Sequence, residues 1–257
     1  MHALIINGSP RAKKFSNTDK ILLRITAGMA ERGATFEQYE ISDRAQWPTI
    51  RERFYQCDHI LIALPLFVEC IPGLLMEFLE TLDAERKALV PGPSSLGPAA
   101  EASSGATTDN DSTNATKNSA FAGEKSKKPL LSFLLQSGFA EGVQLRCGEA
   151  YLQMLAGNLG CEYGGTLVKG DNFSIRLFEG EQRDKITAPY QEMGRIYGRD
   201  GAFADEACKK FTGPEIFPLP VRLLVGLVFK TFAKKMFQKK AQEWGCTRPL
   251  DDRPYLQ

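Results

Sequence analysis

The chain is short of the residues that most often carry chemistry on their own. Of its 257 residues only two are histidine, His2 and His59, and both fall where an apolar run begins. A nucleophile–histidine–acid arrangement therefore cannot be assembled, which disfavours a conventional hydrolase. Six cysteines are scattered as Cys57, Cys70, Cys147, Cys161, Cys208 and Cys246 with no C-x-x-C pair. That removes the zinc and iron–sulfur signatures, so no metal is expected. Mostly buried, reduced thiols in a cytoplasmic protein are the expectation instead. Charge of one sign is also missing: a net charge of +1 gives no pull toward nucleic acid, and none is expected as a partner. Neither G-x-x-x-x-G-K-[ST] nor G-x-G-x-x-G follows the first apolar run, so nucleotide-triphosphate and dinucleotide folds are not supported. No basic, apolar and small-residue leader follows Met1, and export is not expected. Asn110-Asp111-Ser112 and Asn114-Ala115-Thr116 accordingly read as chance matches to the glycosylation triplet. No internal repeat is visible.

What is present is a 43% hydrophobic chain long enough for a full-sized core. Its apolar runs alternate with helical stripes in βαβ order. Strands are expected at 2–7 ("HALIIN"), 34–41, 58–64 ("DHILIAL"), 129–138 and 161–170. Helices are expected after the first strand (Ile21, Leu22, Ile25, Met29), over 72–86, over roughly 143–159 and over roughly 184–198. The third run is apolar almost throughout, as a parallel strand covered on both faces should be. Five such strands predict a doubly wound α/β parallel sheet.

Between residues 91 and 128 large apolar residues nearly vanish and Ser, Thr, Ala, Asn, Gly and Pro take over. Such a segment cannot bury enough surface to offset its ordering entropy, so it is read as a disordered insertion within a domain spanning 1–213. Residues 214–257 form an extension with an apolar and basic helix over 218–245. Three readings stand for it: docking on the chain's own sheet or a second copy, lying on an anionic membrane surface, or gripping a protein partner. Its apolar stretch is too short to span a bilayer.

In doubly wound sheets ligands sit beyond the carboxyl ends of the strands. The first such end reads "NGSPRAKKFSNT" (7–18). A strand stopping at Asn7-Gly8 and a helix opening at Ser16 leave the first helical N–H groups without intrahelical partners. With the helix dipole, the hydroxyls of Ser9, Ser16 and Thr18 and the amide of Asn17, they form a cradle for a phosphate. Arg11, Lys13 and Lys14 add positive charge nearby. Read alone, Ser16-Asn17-Thr18-Asp19 is a capping-box-like helix start; the whole pattern of strand, Gly-Ser-Pro-Arg loop and hydroxyl-rich helix head favours the cradle.

The whole loop resembles the phosphate-binding loop of the NAD(P)H-dependent FMN reductases and related flavodoxin-like flavoproteins. Two further loops are similar to that family's. "LPLFVECIPGLLMEFLE" (64–80) offers Pro65, Leu66, Phe67 and Val68 to a flat, apolar ring. Phe67 stands where the family usually has Tyr, which removes a hydrogen-bond donor, and Met76 where it usually has Lys. "QSGFAEGVQ" (136–144) offers Ser137, Gly138 and Phe139, with Ala140 in place of the family's Pro. Glu141 either holds this loop, faces a flavin edge or sits in solvent.

The resemblance implies a flavodoxin-like fold, an FMN cofactor, NADPH or NADH as co-substrate, a homodimer and a small-molecule electron acceptor such as a quinone or free flavin. It places the chemistry on the flavin, so the catalytic residue is unknown, with Phe67 and Glu141 as the candidates. The alternative is a non-enzymatic FMN electron carrier or redox sensor. Such carriers are typically strongly acidic, which this chain is not.

Overall fold

The computed structural model describes residues 1–89, 128–253 and 255. Most of the 91–128 insertion, including both glycosylation triplets, lies outside the described residues.

Strand β1 (His2–Asn7) is followed by a short 3-10 turn (Lys13–Phe15) and helix α1 (Asn17–Ala30). Then come β2 (Thr35–Glu40), α2 (Trp47–Phe54), β3 (His59–Pro65) and α3 (Gly73–Leu89). After the undescribed stretch, β4 (Leu130–Gln136), α4 (Arg146–Asn158) and β5 (Glu162–Lys169) complete the sheet. Its order is β2-β1-β3-β4-β5 and every pairing is parallel. The fold is thus α/β and flavodoxin-like, as expected. Strands β1, β3 and β4 are apolar on both faces because both faces are covered. Leu4, Ile6, Ile60, Ile62 and Phe133 turn toward α2, α3 and α4. Ala3, Ile5, Leu61, Ala63 and Leu134 turn toward α1 and the later helices.

Helices α5 (Ser174–Leu177), α6 (Gly180–Thr187), α7 (Pro189–Asp200) and α8 (Glu206–Phe211) follow the sheet. The single helix expected over 184–198 is therefore two. Pro189 opens the second, a position where its missing N–H costs nothing, and Gly201 at φ 68° closes it. Helix α2 was not expected, because its eight residues show only Trp47, Ile50 and Phe54 to the core. Helix α4 starts later than 143, since Gly142–Leu145 form a 3-10 turn. The cysteines also differ from expectation: Cys57, Cys161 and Cys208 are buried, while Cys70, Cys147 and Cys246 are exposed.

Helices α1 and α7 cross very closely. A Cβ on Gly28 would lie 2.0 Å from the Gln191 carbonyl oxygen, and one on Gly194 would lie 2.1 Å from that of Ile25. Glycine at these positions lets backbone meet backbone. The extension forms α9 (Leu219–Val228), a π-helical turn (Phe229–Ala233) and α10 (Lys234–Glu243). Among the described residues no helix is long and apolar enough to cross a membrane.

Candidate FMN site

The winding direction reverses between β1 and β3, which places a crevice at their carboxyl ends. There the β1 loop is pinned from below. Gly8 N–H donates to the Ala63 carbonyl at 2.7 Å, and buried Asn7 accepts from Ser9 N–H at 3.1 Å through Oδ1. A Cβ on Gly8 would press against Leu75 at 3.0 Å and the Ala63 oxygen at 3.2 Å. Ser9 Oγ in turn accepts from Arg11 N–H.

Ser16 is the N-cap of α1: buried and extended, it accepts from Asp19 N–H at 3.2 Å. One orphan donor of the first turn is satisfied in this way, and those of Asn17 and Thr18 are left at the helix head. Ser16 lies beneath the cavity rather than on its wall, whereas Ser9, Arg11, Asn17 and Thr18 line it. The opposite wall comes from Pro65, Leu66 and Phe67, and a third side from Ser137 and Gly138. Nine of the expected residues thus share one hollow of about 130 Å³. That volume accommodates a phosphate and its neighbouring chain; a ring as large as isoalloxazine must lie in the open mouth.

Three expected residues stand apart. Val68 is 83% exposed at the tip of a tight turn closed by Phe67 and Cys70. Its φ of 47° and the 67° of Glu69 are left-handed and strained for side chains of these types. Phe139 faces a neighbouring cavity. Glu141 holds its loop: Oε1 accepts from Phe217 N–H at 2.8 Å. Gly142 and Val143 N–H groups bond to the carbonyls of Pro214 and Glu215, so this loop is tied to the start of the extension.

The fourth side was not foreseen. Gln136, Asn172 and Phe173 line the hollow, and Asn172 is its hub. Its Nδ2 donates to the Lys169 carbonyl and its Oδ1 accepts from buried Tyr190. Its own carbonyl accepts from Asn17 Nδ2 at 2.9 Å, joining residues 155 positions apart. Gln136 Nε2 donates to Thr18 Oγ1. The turn-forming "KGDN" (169–172) after β5 was the available signal.

Electrostatically the hollow favours an anion. Arg11 sits over the Phe67 ring at 5.8 Å and makes no ion pair among the described residues. Burial lowers the pKa of Lys20, and Arg183, Arg176 and Arg11 push the same way, which marks a cationic cluster around the head of α1. Lys13 is drawn toward Asp19 at 3.8 Å and Lys14 toward the Phe15 ring, so these two contribute less than expected. Asp19 is buried beneath the loop; burial raises its carboxyl, outweighing Lys13 and Lys20. Asn17 Oδ1 is buried without a hydrogen-bond partner among the described residues. An unpaired acceptor beside an orphan N–H pair and a guanidinium in no ion pair among those residues fits a phosphate ester carrying hydroxyls, as FMN does.

Residues 1–111 match the family described as NADPH-dependent FMN reductase, so the resemblance drawn from the loops holds over that stretch. No curated protein sequence matches the chain. Among solved structures it is similar to a flavone reductase, with 15% identity, a TM-score of 0.50 and coverage of 78% of this chain. The chain spans 63% of the length of that flavone reductase, and at this identity the likeness is one of fold. An NAD(P)H:quinone oxidoreductase from Methanothermobacter marburgensis shares 15% identity at a TM-score of 0.47, covering 78% of this chain and 98% of its own. The apo form of an NADH:FMN oxidoreductase shares 12% at 0.46, covering 86% and 97%.

Proposed function

We propose, because residues 1–111 match the NADPH-dependent FMN reductase family, that the chain binds FMN at the head of α1 and works as an NAD(P)H-dependent oxidoreductase on a small acceptor. One observation carries the assignment of residues. Ser9, Arg11, Asn17, Thr18, Pro65, Leu66, Phe67, Ser137 and Gly138 come from three separate loops and line one hollow with a cationic rim.

When bound, FMN supplies two-electron chemistry between a reduced nicotinamide and an acceptor. For a quinone the balance is NAD(P)H plus one proton plus quinone giving NAD(P)+ and hydroquinone. The protein's part is to hold and tune. The N–H groups of Asn17 and Thr18, the Ser9 hydroxyl and Arg11 hold the dianionic phosphate, strengthened by the positive end of α1. Asn17 Oδ1 accepts from a hydroxyl of the ribityl chain. Phe67 and the backbone of 65–67 and 137–138 would flank the ring. The N–H of Gly138, which makes no hydrogen bond among the described residues, is the donor placed to stabilise negative charge on the ring's pyrimidine edge. With Phe67 lacking a hydroxyl, this position donates no proton.

The test is direct. Purified protein titrated with FMN should quench flavin fluorescence at one equivalent, then oxidise NADPH or NADH with ferricyanide or a quinone. Saturable FMN binding without nicotinamide oxidation would favour the electron-carrier or sensor reading. No FMN binding at all would refute the site.

The extension supports a contact with an anionic membrane surface. Leu219, Leu223, Leu224 and Leu227 are 61–67% exposed, and Lys230, Lys234, Lys235, Lys239 and Lys240 follow within three turns. A helix with an apolar outer face beside a cationic segment suits a lipid interface, and the shared positive charge opposes pairing with a second copy there. Salt-sensitive co-sedimentation with anionic vesicles, absent with neutral ones, is the expected result. The homodimer implied by the resemblance would instead cover exposed Met76, Tyr151 and Met154, around a hollow of about 550 Å³ lined by α3 and α4. A mass measurement in solution tests it.

A further inference from the structure

Beside the FMN hollow lies a much larger cavity, about 900 Å³, which no expected feature of the resemblance explains. Its floor is the loops after β4 and β5, and its roof is the extension. Gly138 and Phe173 line both cavities, so the two adjoin.

The roof is built by one stripe of the extension. Arg222, Val225, Gly226, Phe229, Phe232 and Phe237 recur at helical spacing on the inner side. Aromatic rings run from this roof to the FMN hollow: Phe229 against Phe237 at 6.3 Å, then Phe237 against Phe173 at 6.1 Å. Phe139 faces the same space from the floor. Arg222 makes no ion pair among the described residues, and its guanidinium is the cation on the cavity wall.

We propose that this cavity is the acceptor site, and that it takes a planar, carbonyl-bearing compound with a hydrocarbon tail. This rests on the flavin reading above. The rings offer stacking surfaces to a flat acceptor, and Arg222 a donor for its carbonyl oxygen. The apolar roof removes the tail from water, each buried methylene contributing independently of the head. A dinucleotide, with two or more phosphates, fits worse against a wall with one cation. A lipophilic acceptor would also be drawn from the same apolar phase that the outer leucines of α9 face.

Gly226 supplies the test, because it lines the cavity and a Cβ there meets nothing within 4 Å. Gly226→Trp places an indole on the cavity wall from a Cβ that meets nothing, and it raises helix propensity; a thermal melt beside the unsubstituted protein checks that the variant folds. FMN-loaded full-length protein is assayed with a benzoquinone, the same quinone bearing a decyl chain, and ferricyanide. In the unsubstituted protein kcat/KM for the decyl compound should exceed that of the bare ring by about ten-fold or more, which burial of two methylenes suffices to give. In Gly226→Trp that advantage should vanish, while FMN affinity stays within about two-fold. Arg222→Gln should raise KM for both quinones and leave FMN affinity unchanged. A tail advantage that survives Gly226→Trp, or one that never appears, overturns the proposal. If FMN or nicotinamide fails to react even with ferricyanide, the flavin reading falls instead. Calorimetric titration of the decyl quinone into both proteins then still decides the cavity: equal affinity, or no binding to either, overturns it.

Discussion

Gly194→Ala sets two effects of opposite sign against each other. In the middle of a helix, Ala is better than Gly by about 1 kcal/mol, and α7 is a regular helix through this position. Propensity alone therefore predicts a more stable protein. The structure predicts the reverse. The new Cβ would lie 2.1 Å from the Ile25 carbonyl oxygen, 2.8 Å from its carbon and 2.9 Å from its Cα. These are backbone atoms of α1, which no rotamer change moves aside. To restore contact distance the helices must part by about 1 Å, loosening apolar contacts along the whole crossing. Overpacking costs about 1–3 kcal/mol, and a backbone clash belongs at the upper end. After the propensity gain is subtracted, a net loss of about 2 kcal/mol remains, or about 4–8 °C in melting temperature for a chain of this size. The site should feel it too. Tyr190 on α7 donates to Asn172, and Asn172 holds Asn17 at the head of α1, so FMN should dissociate several-fold more readily. Thermal melts with and without FMN, beside a fluorescence titration, measure both. Gly157→Ala is the control: it lies in α4 with nothing within 4 Å of an added Cβ, and there the propensity gain should appear as added stability. A melting temperature for Gly194→Ala at or above the unsubstituted value would refute the close-crossing argument.

Arg11→Gln removes the guanidinium that makes no ion pair at the rim. A charge-assisted hydrogen bond to phosphate is worth about 1.5–3 kcal/mol, so FMN affinity should fall about ten-fold or more and its salt dependence should weaken. An unchanged titration at low salt would remove Arg11 from the site. Asp19→Asn tests the buried carboxylate. Because burial raises its folded pKa above 3.8, the native state prefers the protonated form, and stability is lost as pH rises through the folded value. The substitution should therefore stabilise the protein at pH 7, with the gain disappearing at and below the ordinary value of 3.8, in urea melts across pH. A gain that grows on acidification would contradict the sign. The same change should tighten FMN, since a negative charge beneath the phosphate is removed.

The sheet was legible because parallel strands covered on both faces leave long apolar runs, and "HALIIN", "DHILIAL" and "PLLSFLLQ" each became a strand. The loops after β1, β3 and β4 were legible because Gly, Ser and Pro interrupt those runs abruptly. What was missed follows from how little local pattern it leaves. Helix α2 spends most of its eight residues on solvent. Asn172 reaches the site only through tertiary packing: its neighbours in sequence look like an ordinary turn, and its partners are Asn17 and Tyr190. Arg176 and Arg183 likewise join the cationic cluster from α5 and the first turn of α6, which lie before the helix that periodicity marks at 184–198. Glu141 had three open readings from sequence because its partner, the Phe217 N–H, lies 76 positions away.

The family match stops at residue 111, yet the hollow draws much of its wall from later residues: Gln136, Ser137, Gly138, Asn172 and Phe173. The end of the match is therefore no boundary of the fold. Strand β4 lies beside β3 in continuous register, Leu64 opposite Leu135 and Pro65 opposite Gln136, and Leu66 N–H donates to the Gln136 carbonyl at 2.7 Å. The two loops are thus set by strand pairing, whatever length of chain intervenes. Closure entropy grows only with the logarithm of that length, so a long polar insertion between α3 and β4 leaves the loops in place at small cost. The positions of the loops after β3 and β4 follow from backbone hydrogen bonds that any side chains on these strands would make.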